Sequence, residues 1–424
     1  MSDRKPTTLI LFGATGDLAV KKIFPALESL FRVGNPDMPT RIIGVSRRDW
    51  TAGDLLSFLE EGRGSTYDPA FASIIDYAKV DIDGHSGYEA LSSMVEGEAI
   101  VYLSLAPQLH KPVIENLMEE RILVQGSGKI MLEKPFGVDE ATARGLNELL
   151  SEFLNEEQIY RIDHYLGKDA LRAVMDIHEK TPEFDRVLTA DNVSSIRISL
   201  LETIGIFGRG ASYDRVGAFR DVGQNHVLEM LAVLVADIPE ETSDMARGHI
   251  WQLARASVLG RLDAPEGVCE LMRRGQYEGY LSEAGVSAES QTETAFEVIT
   301  SFSTGRLAGV PVTLRGGKRM TTSEVTMEIM FKDHPGLPES IVVHVQPRQE
   351  IVTTERDGSV ETFVVPKTAD AYANILADAF AGQERDFVGA EETELLWRYA
   401  DRVGQCWEKV PLESYGEGRP FLIQ

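Results

Sequence analysis

Two cysteines occur in 424 residues. Cys269 and Cys406 lie far apart and in no metal-ligand spacing, so neither a disulfide scaffold nor a zinc site is expected. Long apolar runs are missing too. The longest, Met230 to Ala236, falls far short of the roughly 20 residues that cross a bilayer. The opening Met1-Ser-Asp-Arg-Lys-Pro6 has no apolar core of a secretory signal, and the expectation is a cytoplasmic protein. Positive charge is scarce: 42 Lys and Arg stand against 67 Asp and Glu, a net charge of −25. That field repels nucleic acid and anionic membrane, so neither is expected as a partner. An anionic ligand would have to be drawn by a local cluster of Lys and Arg.

What is present fits a globular chain: 43% hydrophobic and 26% charged residues, at a length that implies two domains. Thr8-Leu-Ile-Leu-Phe12 reads as a buried parallel strand. Gly13-Ala-Thr-Gly16-Asp17-Leu-Ala19 follows, then Ile23, Leu27, Leu30 and Phe31 at helical spacing. Strand, glycine turn and helix form the setting of a dinucleotide fingerprint, here in the variant G-x-x-G-x-x-A. Arg41-Ile-Ile-Gly-Val-Ser46 reads as the second strand. Where an NAD enzyme places an acid for the ribose hydroxyls, this chain has Arg47-Arg48 ahead of Asp49. A guanidinium suits a 2′-phosphate, which favours NADP over NAD.

Ala99-Ile-Val-Tyr-Leu-Ser104 and Lys129-Ile-Met-Leu132 read as later strands of the same sheet. The second runs into Glu133-Lys134-Pro135-Phe-Gly137. A lysine just past a strand's C-terminal end lies where α/β sheets bind ligands, and a cis Pro135 would aim it there. A lysine in such a loop is otherwise commonly just solvated.

Arg161-Ile-Asp163-His164-Tyr165-Leu-Gly167-Lys168-Asp169 gathers three possible anion donors, a carboxylate and a phenol. Lys168 is expected at a helix N-terminus, where free N–H groups favour a phosphate. Beyond it the texture changes to alternation: Ile196, Ile198 and Leu200; Val325, Met327, Ile329 and Phe331; Ile341, Val343 and Val345. The pattern predicts an α/β Rossmann-like dinucleotide-binding domain over 1–175. An α+β domain with a large, mostly antiparallel sheet follows over 176–424, closed by helices near Ala371–Ala381 and Glu391–Cys406. Within it, Asp221-Val-Gly-Gln-Asn-His226 leads an apolar helix on which Val222, His226, Met230 and Leu234 share a face. A histidine so placed is commonly a satisfied core residue; Asp221 and Asn225 nearby make a polar cluster that a pure core helix would avoid.

Taken together, these motifs resemble the glucose-6-phosphate dehydrogenase family in order and spacing. The likeness continues through Lys21-Lys22, Gly208-Arg-Gly210, Arg220-Asp-Val-Gly-Gln-Asn-His226, Arg274-Gly-Gln-Tyr277 and Gly309-Val-Pro311. Leu314-Arg-Gly-Gly-Lys318, Val345-Gln346-Pro347 and Asp370-Ala-Tyr372 complete it. The resemblance implies oxidation of a sugar 6-phosphate, by default glucose 6-phosphate, at C1 to the lactone with hydride transfer to NADP, the first step of the oxidative pentose phosphate pathway. It implies His226 as general base and Asp163 as the carboxylate that orients it. His164, Tyr165 and Lys168 would hold the phosphate. Lys22, Lys134, Glu202, Asp221, Lys318 and Gln346 would contact the sugar. Gly13, Thr15, Gly16, Asp17, Arg47 and Lys134 fall on cofactor positions. No metal is implied, and a homodimer or homotetramer is expected.

Departures from the family pattern include Ser323, where Arg or Lys usually stands five residues after the lysine. The Asn and aromatic residues usual near Ile177-His178-Glu179 are missing, and the C-terminus is short, which bears on a second, structural NADP site. Two alternatives stay open: a sugar dehydrogenase of the glucose–fructose oxidoreductase type, and a non-catalytic regulatory relative.

Overall fold

The apolar run after Thr7 is buried from Thr8 to Phe12, as a strand covered on both faces must be. The computed structural model describes residues 6–238, 247–263 and 269–416. The chain forms two compact units, Met1–Gly167 with Ala369–Ala390, and Lys168–Thr368 with Glu391–Gln424.

In the first unit, β1 (Thr7–Phe12), β2 (Arg41–Ser46), β3 (Ile75–Lys79), β4 (Glu98–Leu103), β5 (Lys129–Glu133) and β6 (Ile159–Ile162) form a sheet in the order β3-β2-β1-β4-β5-β6. Every neighbouring pair runs parallel. The strand order reverses between β1 and β4, and open α/β sheets bind ligands outside the C-terminal ends of the strands at that point. The helix Ala371–Ala381, capped by Asp370 and stopped by left-handed Gly382, packs Tyr372, Ile375, Leu376 and Ala379 into the core cluster of Leu9, Leu11 and Leu27. Residues 369–390, which follow the second domain's strands in sequence, group by contact with the first unit. Helical periodicity announces a helix and does not say which sheet it covers.

In the second unit, nine strands follow the order β14-β13-β12-β11-β7-β10-β9-β8-β15. They are β7 (Val193–Leu201), β8 (Met272–Tyr277), β9 (Ala295–Ser301), β10 (Pro311–Gly317), β11 (Glu324–Phe331), β12 (Ser340–Gln346), β13 (Glu350–Thr354), β14 (Val360–Val364) and β15 (Leu412–Tyr415). The pairing is antiparallel except between β7 and β10 and between β8 and β15. Along β11, Val325, Met327, Ile329 and Phe331 are buried and the residues between them half-buried, as the alternation predicts.

Two expectations are corrected here. Cys269 and Cys406 form a disulfide with Cα atoms 5.3 Å apart; separation along the chain gave no sign of it, because only the fold brings the two positions together. The stretch around His226 was read as α-helix, but Phe219–Val227 is π-wound before Leu228–Leu234 continues as α-helix. Its bonds span five residues, the spacing that separates Asp221 from His226. Among the described residues no helix is long and apolar enough to cross a membrane.

Candidate active site

At the first unit's switch point the glycine turn is tightly constrained. Gly13 has a φ of +78°, and a β-carbon there would strike the carbonyl oxygen of Ser104, just past β4. Gly16 N–H donates to the Gly13 carbonyl at 2.9 Å, leading into the π-wound turn Ala19–Ile23 and the helix Phe24–Arg32. Glycine is needed here for close approach, of the kind that lets a backbone cradle a pyrophosphate. Thr15 is half-buried, and the exposed Asp17 carboxylate accepts from Lys21 at 2.9 Å.

The end of β2 sorts its charges. Asp49, the acid that could have argued for NAD, pairs with Lys79 at 3.2 Å. The Arg48 guanidinium lies 4.5 Å over the Trp50 ring. Arg47 projects outward, 71% exposed, with the Asp83 carboxylate 3.8 Å away. These residues fit a dinucleotide: a glycine cradle for phosphates, with an exposed guanidinium just past the end of β2.

Around the signature, β6 delivers Asp163 into the interior, 2% exposed, where its carboxylate accepts from the Tyr165 backbone N–H at 2.9 Å. Arg161 is not the anion donor that the sequence suggested. It is buried and its guanidinium donates to Glu156 at 2.6 Å. A β-carbon on Gly167 would meet the Ala371 carbonyl oxygen at 2.6 Å, and Asn374 donates to the Gly167 carbonyl at 2.9 Å. The helix Ala371–Ala381 therefore backs the signature directly. Its first turn stacks Tyr372 on His164, and Asp370 lies 3.5 Å from Lys22.

Lys134 is half-buried at the mouth of β5 and the Lys134-Pro135 bond is cis, as expected. Nothing in the sequence pattern singles out the glutamate before it as part of the site. Buried Glu133 accepts from the Tyr102 hydroxyl at 2.6 Å and is also bonded to Tyr372. Burial pushes its carboxyl up to about 7, against the hydrogen bond from Tyr102 and the nearby charge of Lys134. The only signal in the sequence was its place in Glu133-Lys-Pro, which drew attention to the lysine alone.

In the second unit, Lys168 occupies the position just before the helix Asp169–Lys180, at its N-terminus as expected, with no capping bond from its side chain. Lys318, 3% exposed after β10, is gripped by two carboxylates: Glu202 at 2.6 Å and Asp221 at 3.2 Å. Three residues far apart in sequence thus form one polar cluster suited to a polyhydroxy ligand. His226 is buried on the same π-wound segment as Asp221, its backbone N–H donating to the Asn225 side chain at 2.7 Å. Gln346 is exposed at the end of β12, before a second cis bond to Pro347. Ser323 Oγ accepts from the Thr203 N–H at 2.8 Å and shares a hydrogen bond with the Thr203 hydroxyl at 2.9 Å. Arg319 lies over the Tyr277 ring, and Arg348 pairs with Glu350 at 3.0 Å.

Residues 10–173 match the family model for the glucose-6-phosphate dehydrogenase NAD binding domain, and residues 180–420 match the model for that family's C-terminal domain. The chain is 30% identical to the glucose-6-phosphate 1-dehydrogenase of Helicobacter pylori strain J99 over 419 residues, covering 96% of this chain and 95% of the relative. The crystal structure of glucose-6-phosphate 1-dehydrogenase from Mycobacterium avium superposes with a TM-score of 0.85 at 30% identity, covering 98% of this chain and 94% of that one. A glucose-6-phosphate dehydrogenase in complex with its substrate glucose 6-phosphate superposes with a TM-score of 0.87 at 25% identity, covering 98% and 96%.

Proposed function

The chain belongs to the glucose-6-phosphate dehydrogenase family, and from that premise we propose that it oxidises glucose 6-phosphate at C1 to 6-phosphogluconolactone with NADP as cofactor. It is an oxidoreductase with a nicotinamide-dinucleotide-binding domain. The observation that carries the substrate reading is the cluster of Lys318 between Glu202 and Asp221, on the π-wound segment that also bears His226.

When bound, the dinucleotide supplies the acceptor for the hydride that leaves C1. The chain's own residues supply the rest. His226 takes the proton of the C1 hydroxyl, and Asp163 is the carboxylate assigned to orient the imidazole and stabilise its cation. His164, Tyr165 and Lys168 grip the phosphate, Lys168 from a helix N-terminus where the free N–H groups add to the attraction. Glu202, Asp221 and Lys318 bond the sugar hydroxyls, with Lys22, Lys134 and Gln346 completing the set. Removing a proton and a hydride from the C1 carbinol makes the lactone carbonyl and balances the step.

What supports NADP over NAD is the end of β2: Asp49 has Lys79 3.2 Å away and Arg48 lies over Trp50, while Arg47, exposed with Asp83 3.8 Å away, is within reach of solvent to meet a 2′-phosphate. The glucose–fructose oxidoreductase alternative is not favoured, since both halves of the chain match the domains of the one family. The test is reduced-cofactor formation by the purified protein with glucose 6-phosphate, other sugar 6-phosphates and free glucose, each with NADP and with NAD. Turnover of free glucose equal to that of the phosphate ester would overturn the reading.

A further inference from the structure

In the second unit, on the side of the π-wound segment where Phe219 and Arg220 begin it, lies a cavity of about 250 Å³. None of the residues assigned above to sugar phosphate or cofactor lines it. Its walls carry three arginines: Arg215 before the segment, Arg220 in its first turn, and Arg274 on β8.

The arginines are held in different ways. Arg274 donates to the carbonyls of Val410 at 2.8 Å and Gln291 at 3.3 Å, and its charge also acts on the carboxyl of Glu293 in the same wall. Among the described residues the guanidiniums of Arg215 and Arg220 meet no carboxylate. Both are exposed, and in a chain with 25 more acidic than basic side chains they make a local concentration of positive charge on the cavity. Arg215 is also held at a φ of +80°, its N–H donating to the Thr292 hydroxyl at 2.9 Å. The acid in the wall, Glu293, is buried and already committed. It accepts from the Phe219 N–H at 3.1 Å and from the Trp407 side chain, and burial raises its pKa. Phe219 and Trp407, ring centroids 6.0 Å apart, give the cavity an apolar side.

We propose that this cavity is a second anion site, taking a small phosphorylated molecule with its phosphate on Arg215, Arg220 and Arg274 and its body against Trp407. Planar guanidinium forks match phosphate oxygens two at a time, which favours a phosphate over a single carboxylate. Arg220 is the neighbour of Asp221, which contacts Lys318, so a ligand that fixes Arg220 acts on the segment carrying His226. The site is therefore regulatory in character. Its existence does not depend on the substrate reading.

The test is calorimetric titration of the whole protein with pyrophosphate, in the presence of saturating glucose 6-phosphate and NADPH, which fill the sugar-phosphate residues and the glycine cradle without turnover. Wild type should show saturable binding. Arg215→Gly, whose glycine suits the backbone at that φ, should weaken it about tenfold or more, as should Arg220→Ala. His164→Ala, titrated without sugar, should retain it. Binding as tight in both arginine variants as in wild type overturns the proposal, and so does loss in His164→Ala or no saturable binding at millimolar pyrophosphate. Unchanged melting temperatures would show that the variants are folded. If glucose 6-phosphate itself fails to bind, the substrate reading falls while the arginine comparison still decides this site.

Discussion

The imidazole of His164 lies on the phenol of Tyr372, ring centroids 5.6 Å apart and planes 9° from parallel. The first belongs to the loop after β6 and the second to a helix that arrives near the end of the chain. Tyr372 is in turn bonded to buried Glu133, so the orientation of a proposed phosphate ligand is set by a side chain and an acid beneath it. Aromatic stacking of this kind contributes about 0.5–1.5 kcal/mol. Tyr372→Leu should therefore raise KM for the sugar phosphate about two- to tenfold with a smaller change in kcat. Tyr372→Phe should keep most of the affinity, because the stack survives. Steady-state kinetics on both variants checks this, and an unchanged KM in Tyr372→Leu would remove the stack from substrate binding.

Glu133 makes a pH-dependent contribution whose sign follows from its environment. Its carboxyl is raised to about 7 by burial, while the unfolded chain ionises near 4.5. The folded state thus holds a proton that the unfolded state has lost. Stability from this group is full below about pH 4.5 and declines as pH rises towards 7, by on the order of 3 kcal/mol in all. Glu133→Gln stays neutral throughout. Its melting temperature, subtracted from that of wild type across pH 4 to 8, should reveal the decline; parallel curves would show that Glu133 is ionised in the folded protein.

The legible parts of this chain are those where function is written into local pattern. The run Thr8–Phe12 with its glycines could be read as strand and turn because close approach to Ser104 admits no side chain at Gly13. The alternation along β11 was readable for the same reason: each buried position is two residues from the next. What escaped was long-range. Nothing local in Ala371–Ala381 says that its first turn backs Gly167, and nothing in Arg161 says that Glu156 occupies it. The π-winding at Ala19–Ile23 and Phe219–Val227 also escaped, since apolar spacing over so short a stretch fits either helix. Both segments carry residues assigned to the sugar, Lys22 in one and Asp221 with His226 in the other, in keeping with π-turns at functional sites.

Arg47 should discriminate between cofactors. A charge-assisted bond to a 2′-phosphate contributes about 1.5–3 kcal/mol. Arg47→Ala should raise KM for NADP about tenfold or more and leave that for NAD nearly unchanged. Equal losses with both would assign the 2′-phosphate elsewhere, although Arg48 is held on Trp50.

His226→Ala should lower kcat by at least about a hundredfold to ten-thousandfold, the range for loss of a general base. NADP binding, followed by calorimetry, should stay near wild type because His226 lies outside the first unit's glycine cradle. Normal turnover would take the base role away from this residue.

Ser323 is where the chain departs from its family's usual Arg or Lys, and the structure gives the serine a different occupation. Its hydroxyl bonds the Thr203 N–H and hydroxyl, next to Glu202 of the Lys318 cluster. It therefore holds the strand end that presents Glu202 but brings no charge. The two basic residues that could replace that charge are engaged, Arg319 over Tyr277 and beside Glu283, and Arg348 on Glu350. A missing charged hydrogen bond costs about 1.5–3 kcal/mol, or about ten- to a hundredfold in affinity. Weak binding of glucose 6-phosphate follows, or preference for a sugar phosphate whose hydroxyls suit a neutral Ser323. Ser323→Arg should restore the charge and release Thr203, tightening glucose 6-phosphate relative to free glucose. Ser323→Ala separates the two roles, since it loses the bonds to Thr203 without adding charge and should weaken binding only slightly. Tight wild-type binding that Ser323→Arg leaves unchanged would mean that the pocket is completed by another cation.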